Sequence, residues 1–578
     1  MKNKLTTILG TLLLGFTIFA CKKSFLDRPP QGSFNEISLA NAKGINTTII
    51  AAYAMLDGWS DNGWNNAAGN PWPVAGSNWI WGSVASDDAY PGSQPNDQFG
   101  VERVNRYEWV ADDPYYRAKF QQCYAGVGKT NVSIRLLNNA TDLTDAEKKQ
   151  LMGEAKFLRA HYYFDAYKMW INVPYIDEGT TEYRQKNDVD IFPKIEADFK
   201  EAIDGLAEVS STASGRATKG AAQAYLARAY MFVGKYAEAK PLLEAVINSG
   251  KYALVNNFHD NFDASKQNNT EMIFAYKASV NDGAGESANG NWGDRLNFPH
   301  GNAPVTQCCG FHQPSQNLVN AFKTDETTGL PLFSTFNNNN YAPGTDFVDP
   351  RLDWTAGRPD VPFLDWGPQQ SSWIRDASYC GNFTGKKNVF HAAQRNTLST
   401  ASGWSSAPNA IDIPFIRYSD VLLMAAECEI ETNGNLAKAK DYINQVRERA
   451  GKFVQGAGTS EATIAQSLTG GTGTVNGTKY KIGLYQNFAS QAEARQAVRW
   501  ERRLELAMEG YRFFDLRRWN DLQTIVNFVE VEKTRRVSLY AAAQPFNATK
   551  LKYYPLPSVE IDLSKIDGTA QLKQNDGY

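Results

Sequence analysis

Two distant segments of the chain carry the same helix-pair pattern, and this repetition constrains the fold more than any other feature. Both place small and large apolar residues at helical spacing around a glycine, which permits a tight turn between closely packed helices. The first copy consists of Leu226, Ala227, Tyr230, Gly234, Tyr236, Ala239, Leu243 and Val246. The second consists of Leu423, Ile430, Gly434, Ala439, Ile443 and Val446. The sequence therefore predicts two antiparallel helix pairs.

The offsets in both copies resemble the tetratricopeptide repeat, although two copies about two hundred residues apart are fewer than a continuous solenoid needs. Other segments are also helical: Thr144 and Glu147 form a capping-box signature before a helix predicted to reach about Trp170, and another helix is predicted over 190–208. We expect a mainly α fold, in which a tetratricopeptide-like scaffold of helix pairs carries long irregular loop insertions and little β structure.

Segments rich in Gly, Asn, Pro, Ser and Thr interrupt the helices at 59–98, 281–311, 333–408 and 454–480. Loops of this length are usually functional or disordered, and tryptophan separates the two cases because disordered segments seldom contain it. The first three segments contain Trp59, Trp64, Trp72, Trp79, Trp81, Trp292, Trp354, Trp366, Trp373 and Trp404. We therefore expect ordered insertions at about 59–98 and 281–408, and a plain flexible loop only at 454–480.

The N-terminus has the pattern of an export signal. Lys2 and Lys4 precede an apolar run from Leu5 to Ala20 that is too short for a membrane span and is followed by a polar segment. The run ends "IFAC" and resembles a bacterial lipobox, which predicts that residues 1–20 are removed and that Cys21 is lipidated. The alternative is a chance cysteine at the end of an ordinary secretory signal.

Charge and cysteine content exclude several classes of protein. Lys and Arg number 59 against 62 Asp and Glu, so the net charge of −3 offers no electrostatic footprint for nucleic acid. Besides Cys21, five cysteines remain without a C-x-x-C pair, so disulfides are not the basis of the fold. The segment "HGNAPVTQCCGFH" at 300–312 suggests a metal site, but structural zinc sites space their cysteines apart. We expect no metal there, and instead a loop with buried or oxidised thiols.

The stretch "RWERRLELAMEGYRFFDLRRWN" at 499–520 has two interpretations. On one helix, Glu501, Glu505 and Glu509 share a face at about the spacing of glycosidase carboxylates. However, Arg502 and Arg512 lie three residues from Glu505 and Glu509 and would lower their pKa values, whereas a general acid needs a raised pKa. We interpret the stretch as a structural segment held by core packing and a salt-bridge network.

The tryptophan-rich insertions suggest sugar binding. An indole ring offers an apolar platform for the C–H face of a sugar, and nearby amides, carboxylates or guanidinium groups can bind its hydroxyls. For each tryptophan the alternative is structural, because the ring can instead fasten a long loop to the helices. For the group, we expect at least one or two rings to face a glycan.

Six motifs in order make the chain resemble the SusD/RagB family of surface glycan-binding lipoproteins of Bacteroidota. They are "FLDRPPQGSFNE" after Cys21, "GEAKFLRAHYYFDAYKMWINVPYI" at 153–176, "RATKGAAQAYLARAYMFVGKYAEA" at 216–239, "IPFIRYSDVLLMAAECEIETNG" at 413–434, an "ER..EL..EG.R..DL.R" signature from Glu501, and the ending "YYPLPSVEIDLSKIDGTAQLKQNDGY". The resemblance covers essentially all of 21–578, which we expect to be a single domain, with helical parts at about 36–260 and 413–520.

This resemblance implies a protein that is not an enzyme, needs no cofactor, and is anchored in the outer membrane. Family members bind oligosaccharides and cover a partner SusC-like TonB-dependent transporter as its lid, with ligand contacts from variable loops. Residue chemistry alone then selects the site. We expect Trp64, Trp72 and Trp292 as stacking rings, Tyr90 as a fourth aromatic, and Asp88, Asn291 and Arg295 as polar partners.

Alternatives remain at this level. Two lysines directly after Cys21 replace the acidic residues often found in surface-export signals, so a periplasm-facing orientation stays open beside surface display. A tetratricopeptide-type scaffold that binds only protein and a glycoside hydrolase are the other functional hypotheses. Sugar-stacking chemistry does not name the glycan.

Overall fold

The computed structural model describes residues 36–58, 66–209, 214–285, 288–305, 309–400, 408–456, 461–464 and 473–578. The predicted signal segment, Cys21 and Trp64 lie outside these ranges. Within them, no helix is both long and apolar enough to cross a membrane.

Helices dominate the described residues, as the sequence predicts, and the strands are short. The helices are α1 (Glu36–Leu39), α2 (Ala42–Ala54), α3 (Phe99–Asn105), α4 (Pro114–Asn139), α5 (Asp145–Trp170), α6 (Phe192–Gly205), α7 (Lys219–Phe232), α8 (Tyr236–Asn248), α9 (Gln316–Ala321), α10 (Arg351–Thr355), α11 (Ala377–Cys380), α12 (Tyr418–Glu431), α13 (Leu436–Ala450), α14 (Gln491–Glu505), α15 (Arg512–Arg518), α16 (Gln523–Arg535), α17 (Val537–Tyr540) and α18 (Ser558–Leu563). The strands are β1 (Ala89–Gly92), β2 (Met272–Tyr276), β3 (Phe311–Pro314), β4 (Lys323–Thr324), β5 (Phe347–Val348), β6 (Ala356–Gly357), β7 (Thr384–Gly385), β8 (Ile413–Arg417), β9 (Phe453–Gln455), β10 (Glu461–Thr463), β11 (Gly473–Val475) and β12 (Thr478–Tyr480).

Both predicted helix pairs are present, as α7 with α8 and α12 with α13, and α8 packs against α12. The two copies that are far apart in sequence are therefore neighbours in space. Because α4, α5 and α6 pack in succession before α7, and α14 packs on α12 and α13, the helices form a longer array than the two recognisable copies indicate.

Helix α5 shows why the predicted helices form. The Thr144 side chain accepts a hydrogen bond from the Glu147 backbone N–H, and the Glu147 carboxylate accepts one from the Thr144 backbone N–H, which completes the predicted capping box. From Gly153 onward nearly every side chain is buried, because α4, α6 and α2 cover different sides of the helix. This explains why apolar residues occur all around α5 instead of along one stripe.

Short strands connect parts of the chain that lie far apart in sequence. Strands β1 and β3 pair antiparallel and thereby join the two predicted insertions. Strands β2 and β8 pair antiparallel at the start and end of the middle insertion. A four-stranded sheet in the order β11-β12-β5-β4 joins the middle insertion to 473–480, so the plain flexible loop predicted at 454–480 is wrong for its described residues.

The hydrophobic core of the described residues has three clusters, of which the smallest packs Ile45 and Ile49 of α2 against α4 and α5. The main hydrophobic cluster draws on residues from Ala52 to Leu556 and includes side chains from both insertions. A second, smaller cluster lies under the middle insertion and contains Phe298, Val305, Trp354, Phe363, Trp373 and Phe390. Trp354 and Trp373 are therefore structural, as the alternative interpretation of the loop tryptophans proposed.

Candidate functional site

The stretch at 499–520 is not one helix. Helix α14 ends at Glu505 and α15 begins at Arg512, and between them the backbone turns through positive φ at Met508 (65°) and Gly510 (77°). A Cβ atom added at Gly510 would overlap the carbonyl oxygen of Ser77, so the close approach of these two backbone segments requires glycine. The expectation that Glu509 shares a helix face with Glu501 and Glu505 is therefore wrong.

Arginines from distant segments surround these glutamates. Glu505 is fully buried and forms ion pairs with Arg351 at 3.2 Å, with Arg417 at 3.0 Å and with Arg449. Arg351, which lies in the middle insertion, also contacts Glu501 at 2.6 Å. Burial alone would raise the pKa of Glu505, but the charges of Arg449, Arg417 and Arg351 outweigh it and hold the pKa well below its usual range.

A carboxyl group with a lowered pKa cannot serve as a general acid near neutral pH, so the structure supports the structural interpretation of this stretch. The predicted ion-pair partners were wrong. Arg502 pairs with Asp420 at 2.6 Å and with Asp515, and Arg512 pairs with Asp87 at 2.8 Å. Sequence spacing identified a charge network but not its pairings, which join different elements.

The two insertions expected to supply the ligand site do lie together. Besides the β1–β3 pairing, the Trp79 Nε1–H donates to the Gly293 carbonyl at 3.1 Å. The Ser77 hydroxyl donates to Asp294 Oδ1 at 2.6 Å. These contacts fix the turn at 291–295 on the first insertion.

That turn brings together three of the predicted site residues. The Arg295 guanidinium carbon lies 4.5 Å from the centroid of the half-buried Trp292 ring, a cation–π distance. Burial lowers the pKa of Arg295 to about 10, which still leaves the group charged at neutral pH. The Asn291 side chain is buried and donates to Asp294 Oδ2 at 3.0 Å. Asn291 therefore shapes the turn, and its buried side chain is not placed to contact a glycan directly, contrary to the prediction.

Trp72 does not present a face to solvent. It is 4% exposed and packs in the main core, where its Nε1–H lies 3.1 Å from Gln98 Oε1 and 3.0 Å from the Tyr115 hydroxyl. The expectation that it stacks on a sugar therefore fails in this structure. A ring with an internal hydrogen-bond partner and apolar neighbours has the structural role that the alternative interpretation gave it.

Asp88 and Tyr90 are also buried, so neither is placed to contact a ligand as predicted. Asp88 pairs with Arg503 at 3.0 Å, and the Tyr90 hydroxyl donates to Glu532 at 2.7 Å. Burial raises the pKa of Tyr90 far above its usual range, so the hydroxyl stays protonated. Both side chains bind partners more than four hundred residues later in the chain, which local sequence does not reveal.

Sequence reasoning missed a second indole–arginine pair. The half-buried Trp366 donates its Nε1–H to the Phe390 carbonyl at 2.8 Å, and the Arg395 guanidinium lies 4.7 Å from its ring centroid. Arg395 also donates to the Pro304 carbonyl at 2.6 Å. Trp366 was recognised as a loop tryptophan, but its arginine comes from another part of the insertion and left no local signal.

The histidine and cysteine segment at 300–312 forms no cluster of metal ligands within the residues that the structure describes. His312 is buried with its ring 5.3 Å from Trp79, and Cys309 is in a disulfide. Cys123, Cys380 and Cys428 are buried free thiols. The oxidised thiol of Cys309 agrees with the expectation of buried or oxidised thiols in this loop.

Family models match most of the chain. Residues 270–578, more than half of the sequence, match a model described as the SusD family. Residues 66–231 match a model described as "Starch-binding associating with outer membrane".

Individual proteins are similar over nearly the full length. SusD-like protein P25 of Formosa agariphila is 24% identical over 566 residues, which cover 91% of this chain and 92% of that protein. Surface glycan-binding protein A from Bacteroides thetaiotaomicron, solved in complex with laminarihexaose, is 22% identical with a TM-score of 0.66, covering 93% of this chain and 99% of that one. A laminarin-binding SusD-like protein is 21% identical with a TM-score of 0.65, covering 93% and 100%. The solved structures therefore share this fold.

Proposed function

The chain belongs to the SusD family, and from this premise we propose that it binds glycans at the outer membrane without catalysing a reaction. In this proposal it captures oligosaccharides and delivers them to a SusC-like TonB-dependent transporter, which it covers as a lid. The descriptions of its relatives support the first part, since one binds laminarin, another was solved with laminarihexaose, and a matching family model names starch and the outer membrane.

The observation that carries the proposal is the half-buried Trp292 ring, held by Arg295 on a turn where the two insertions meet. A ring that is fixed before binding loses little conformational entropy when a sugar stacks on it. Arg295 stiffens the ring from one side and keeps its charge, so it can also donate to a sugar hydroxyl. Asn291 acts indirectly, by fixing the turn through Asp294.

Trp366 with Arg395 extends the proposed surface. The pair repeats the arrangement at Trp292, and Arg395 holds it next to Pro304 in the same insertion. An oligosaccharide longer than one sugar needs several weak contacts, and two platforms in one insertion supply them. We assign Trp366 to the same glycan-binding surface as Trp292.

The anchoring part of the proposal rests on Cys21. Lipidation there would tether the folded body to the outer membrane, with the body facing the cell exterior where oligosaccharides are released. A lid must release its ligand into the transporter, so the proposal requires affinity that is moderate instead of maximal. Co-purification of a SusC-like transporter from outer membranes tests this part, and a transporter that never co-purifies would contradict it.

Calorimetric titration of the protein lacking residues 1–21 tests glycan capture. The probes are laminarihexaose and matched oligomers of starch, cellulose, mannan and galactan. We expect saturable heat with one class, and we expect Trp292→Ala to weaken that binding about tenfold or more. Tyr183→Ala is the control, because Tyr183 is an exposed aromatic outside both insertions.

Equal affinities of the Trp292→Ala and Tyr183→Ala proteins would remove Trp292 from the site. Silence of the unaltered protein toward every oligosaccharide would instead favour the protein-binding scaffold. Release of shorter products during the titration would support the glycoside hydrolase.

A further inference from the structure

A cavity of about 540 Å³ lies between α14, α16 and the turn at 333–337, and it shares no residue with the turn that carries Trp292. Its volume falls within the range of roughly 300–1,000 Å³ that is typical of small-molecule sites. The insertions supply only part of its lining, since most lining residues belong to α14 and α16 and to the segment between α15 and α16.

Three half-buried aromatic rings form one side of this cavity. The Trp500 ring lies 5.4 Å from Phe333 and 5.0 Å from Phe336, in edge contacts at 89° and 83°. The Trp500 Nε1–H donates to the Ala321 carbonyl at 3.2 Å, which fixes the ring. Rigid aromatic surface of this kind suits the C–H face of a sugar ring.

The polar lining residues differ sharply in whether they already have partners. Arg495 is held by two hydrogen bonds to Glu431, at 2.6 and 2.8 Å. Arg499, one turn along α14, has no hydrogen bond or ion pair to any described residue, although its Nε is buried. Its guanidinium lies 4.9 Å from the Trp519 ring centroid. A buried donor without an acceptor is costly unless a ligand or water supplies one.

Acceptors and further donors lie in the same cavity. Neither the carboxylate of Asp521 nor the hydroxyl of Thr524 has a side-chain hydrogen bond within the described part of the chain, and both residues are half-buried. Arg503 and Arg512 also line the cavity, but they are ion-paired with Asp87. Among the half-buried lining residues that the structure describes, the groups without a side-chain hydrogen bond are thus one guanidinium, one carboxylate and one hydroxyl, which suit a ligand that both donates and accepts hydrogen bonds.

We propose that this cavity is a second sugar site, which holds a neutral hexopyranose unit with its ring against Trp500 and its hydroxyls on Arg499, Asp521 and Thr524. A hexopyranose offers apolar C–H faces together with hydroxyls that donate and accept, which matches rings flanked by a free donor and free acceptors. A purely anionic ligand fits less well because Asp521 would repel it. The inference rests on the proposed function in one respect, since that function explains why a sugar is available to the protein. The site itself is argued from the residues that line the cavity.

Isothermal titration in a Trp292→Ala background tests the proposal, because that change removes the principal ring of the first surface. The probes are maltose, cellobiose, laminaribiose, lactose and mannobiose, with glucuronate as an anionic comparison. We expect at least one disaccharide to bind at one site per chain. Adding Arg499→Gln should weaken that binding about tenfold, whereas Arg495→Gln, a matched control whose charge is already paired, should change it less than about threefold.

Thr524→Val provides a second test in case Arg499→Gln disturbs the fold. It removes one hydroxyl at nearly constant shape, and it should also weaken disaccharide binding. The proposal is overturned if no disaccharide binds, if binding is indifferent to both Arg499→Gln and Thr524→Val, or if only glucuronate binds. These results are independent of the proposed function, which is judged by the effect of Trp292→Ala on oligosaccharides in the chain with Arg499 unchanged.

Discussion

Arg417 is 1% exposed, and its guanidinium donates to Glu271, Ser419, Glu505 and Glu509. Its planar fork of donors lets one side chain join two helices and two strand ends. Buried charges are tolerated only when they are paired and hydrogen-bonded, so each arginine in this network depends on its glutamates. The stretch at 499–520, which resembles a row of catalytic carboxylates, therefore has a structural role, because its glutamates bind arginines from distant segments.

Replacing Glu505 tests this role. Glu505→Gln leaves Arg351, Arg417 and Arg449 buried with one negative charge fewer, and we expect the free energy of unfolding to fall by about 3–5 kcal/mol. Urea denaturation at neutral pH measures the change. Glu530→Gln removes a glutamate of an exposed i,i+3 pair with Lys533 and should change stability by less than about 1 kcal/mol. Similar small decreases in the free energy of unfolding of both variants would refute this structural role of Glu505.

Asp420 should make stability depend on pH. Burial alone raises its pKa, but the charges of Arg502 and Arg228 lower it to about 2. Because this pKa lies below the unfolded value of about 3.9, the stabilisation is fully present above about pH 4 and is lost as the pH falls toward 2. The difference corresponds to about 2–3 kcal/mol.

Asp420→Asn checks the sign. The variant should be less stable than the unaltered protein at pH 6, and the two stability curves should converge between about pH 4 and pH 2, measured by urea denaturation. Curves that remain parallel through this range would show that Asp420 is not the titrating group.

The chemistry of the residues in the sequence identified the turn at 291–295 as part of the candidate site. It did not identify which side chains are accessible to a ligand. The Trp292–Arg295 pair is local in sequence, so its spacing made it predictable. Asp88 and Tyr90 looked like surface residues because the sequence around them is polar, yet their partners Arg503 and Glu532 follow far along the chain. A single sequence contains no signal for such distant pairing.

At the level of elements, helices were predictable because each one repeats its own pattern. The capping box at Thr144 and the end of α5 at Trp170 come directly from local signals. The strands were not predictable, since most have two to five residues and pair with distant segments, as β5 does with β12. The break between α14 and α15 was also missed, because a single glycine marks it.

Gly510 offers a test of that break. Gly510→Ala places a Cβ at φ 77° against the Ser77 carbonyl, and we expect a loss of roughly 3 kcal/mol or more in unfolding free energy. Gly234→Ala has nearly the same φ, 78°, but its Cβ would meet open space, so it should lose only about 1 kcal/mol. Thermal or urea denaturation of the pair separates steric overlap from backbone strain. Equal losses would show that the close approach to Ser77 is unimportant.

Across the whole molecule, the main core takes side chains from both insertions as well as from the helical array. Trp79 and Tyr90 of the first insertion and Phe322 and Leu352 of the middle one belong to the same cluster as the helices. That residues 21–578 form a single domain stays a prediction, and the shared core makes it testable by unfolding.

Unfolding should therefore be a single cooperative transition. We expect far-UV circular dichroism, which follows the helices, and tryptophan fluorescence, to which the insertions contribute ten of the fourteen indoles, to give coincident urea curves. Arg351→Ala should shift both curves together, because Arg351 joins the middle insertion to Glu501 and Glu505. A fluorescence transition that precedes the dichroism transition would show that the insertions unfold separately.

Arg351 has a consequence for how such a protein can change its ligand during evolution. The middle insertion carries the proposed glycan-binding rings. It also supplies Arg351, which pairs with Asp349 beside it and is a cation that Glu501 and Glu505 of α14 require. An insertion transplanted from a relative would leave these carboxylates short of a cation unless it brought an arginine to the same position. Ligand preference can therefore change through substitutions in the outer turns. Exchange of the whole insertion also requires that the new insertion carry an arginine at the position of Arg351.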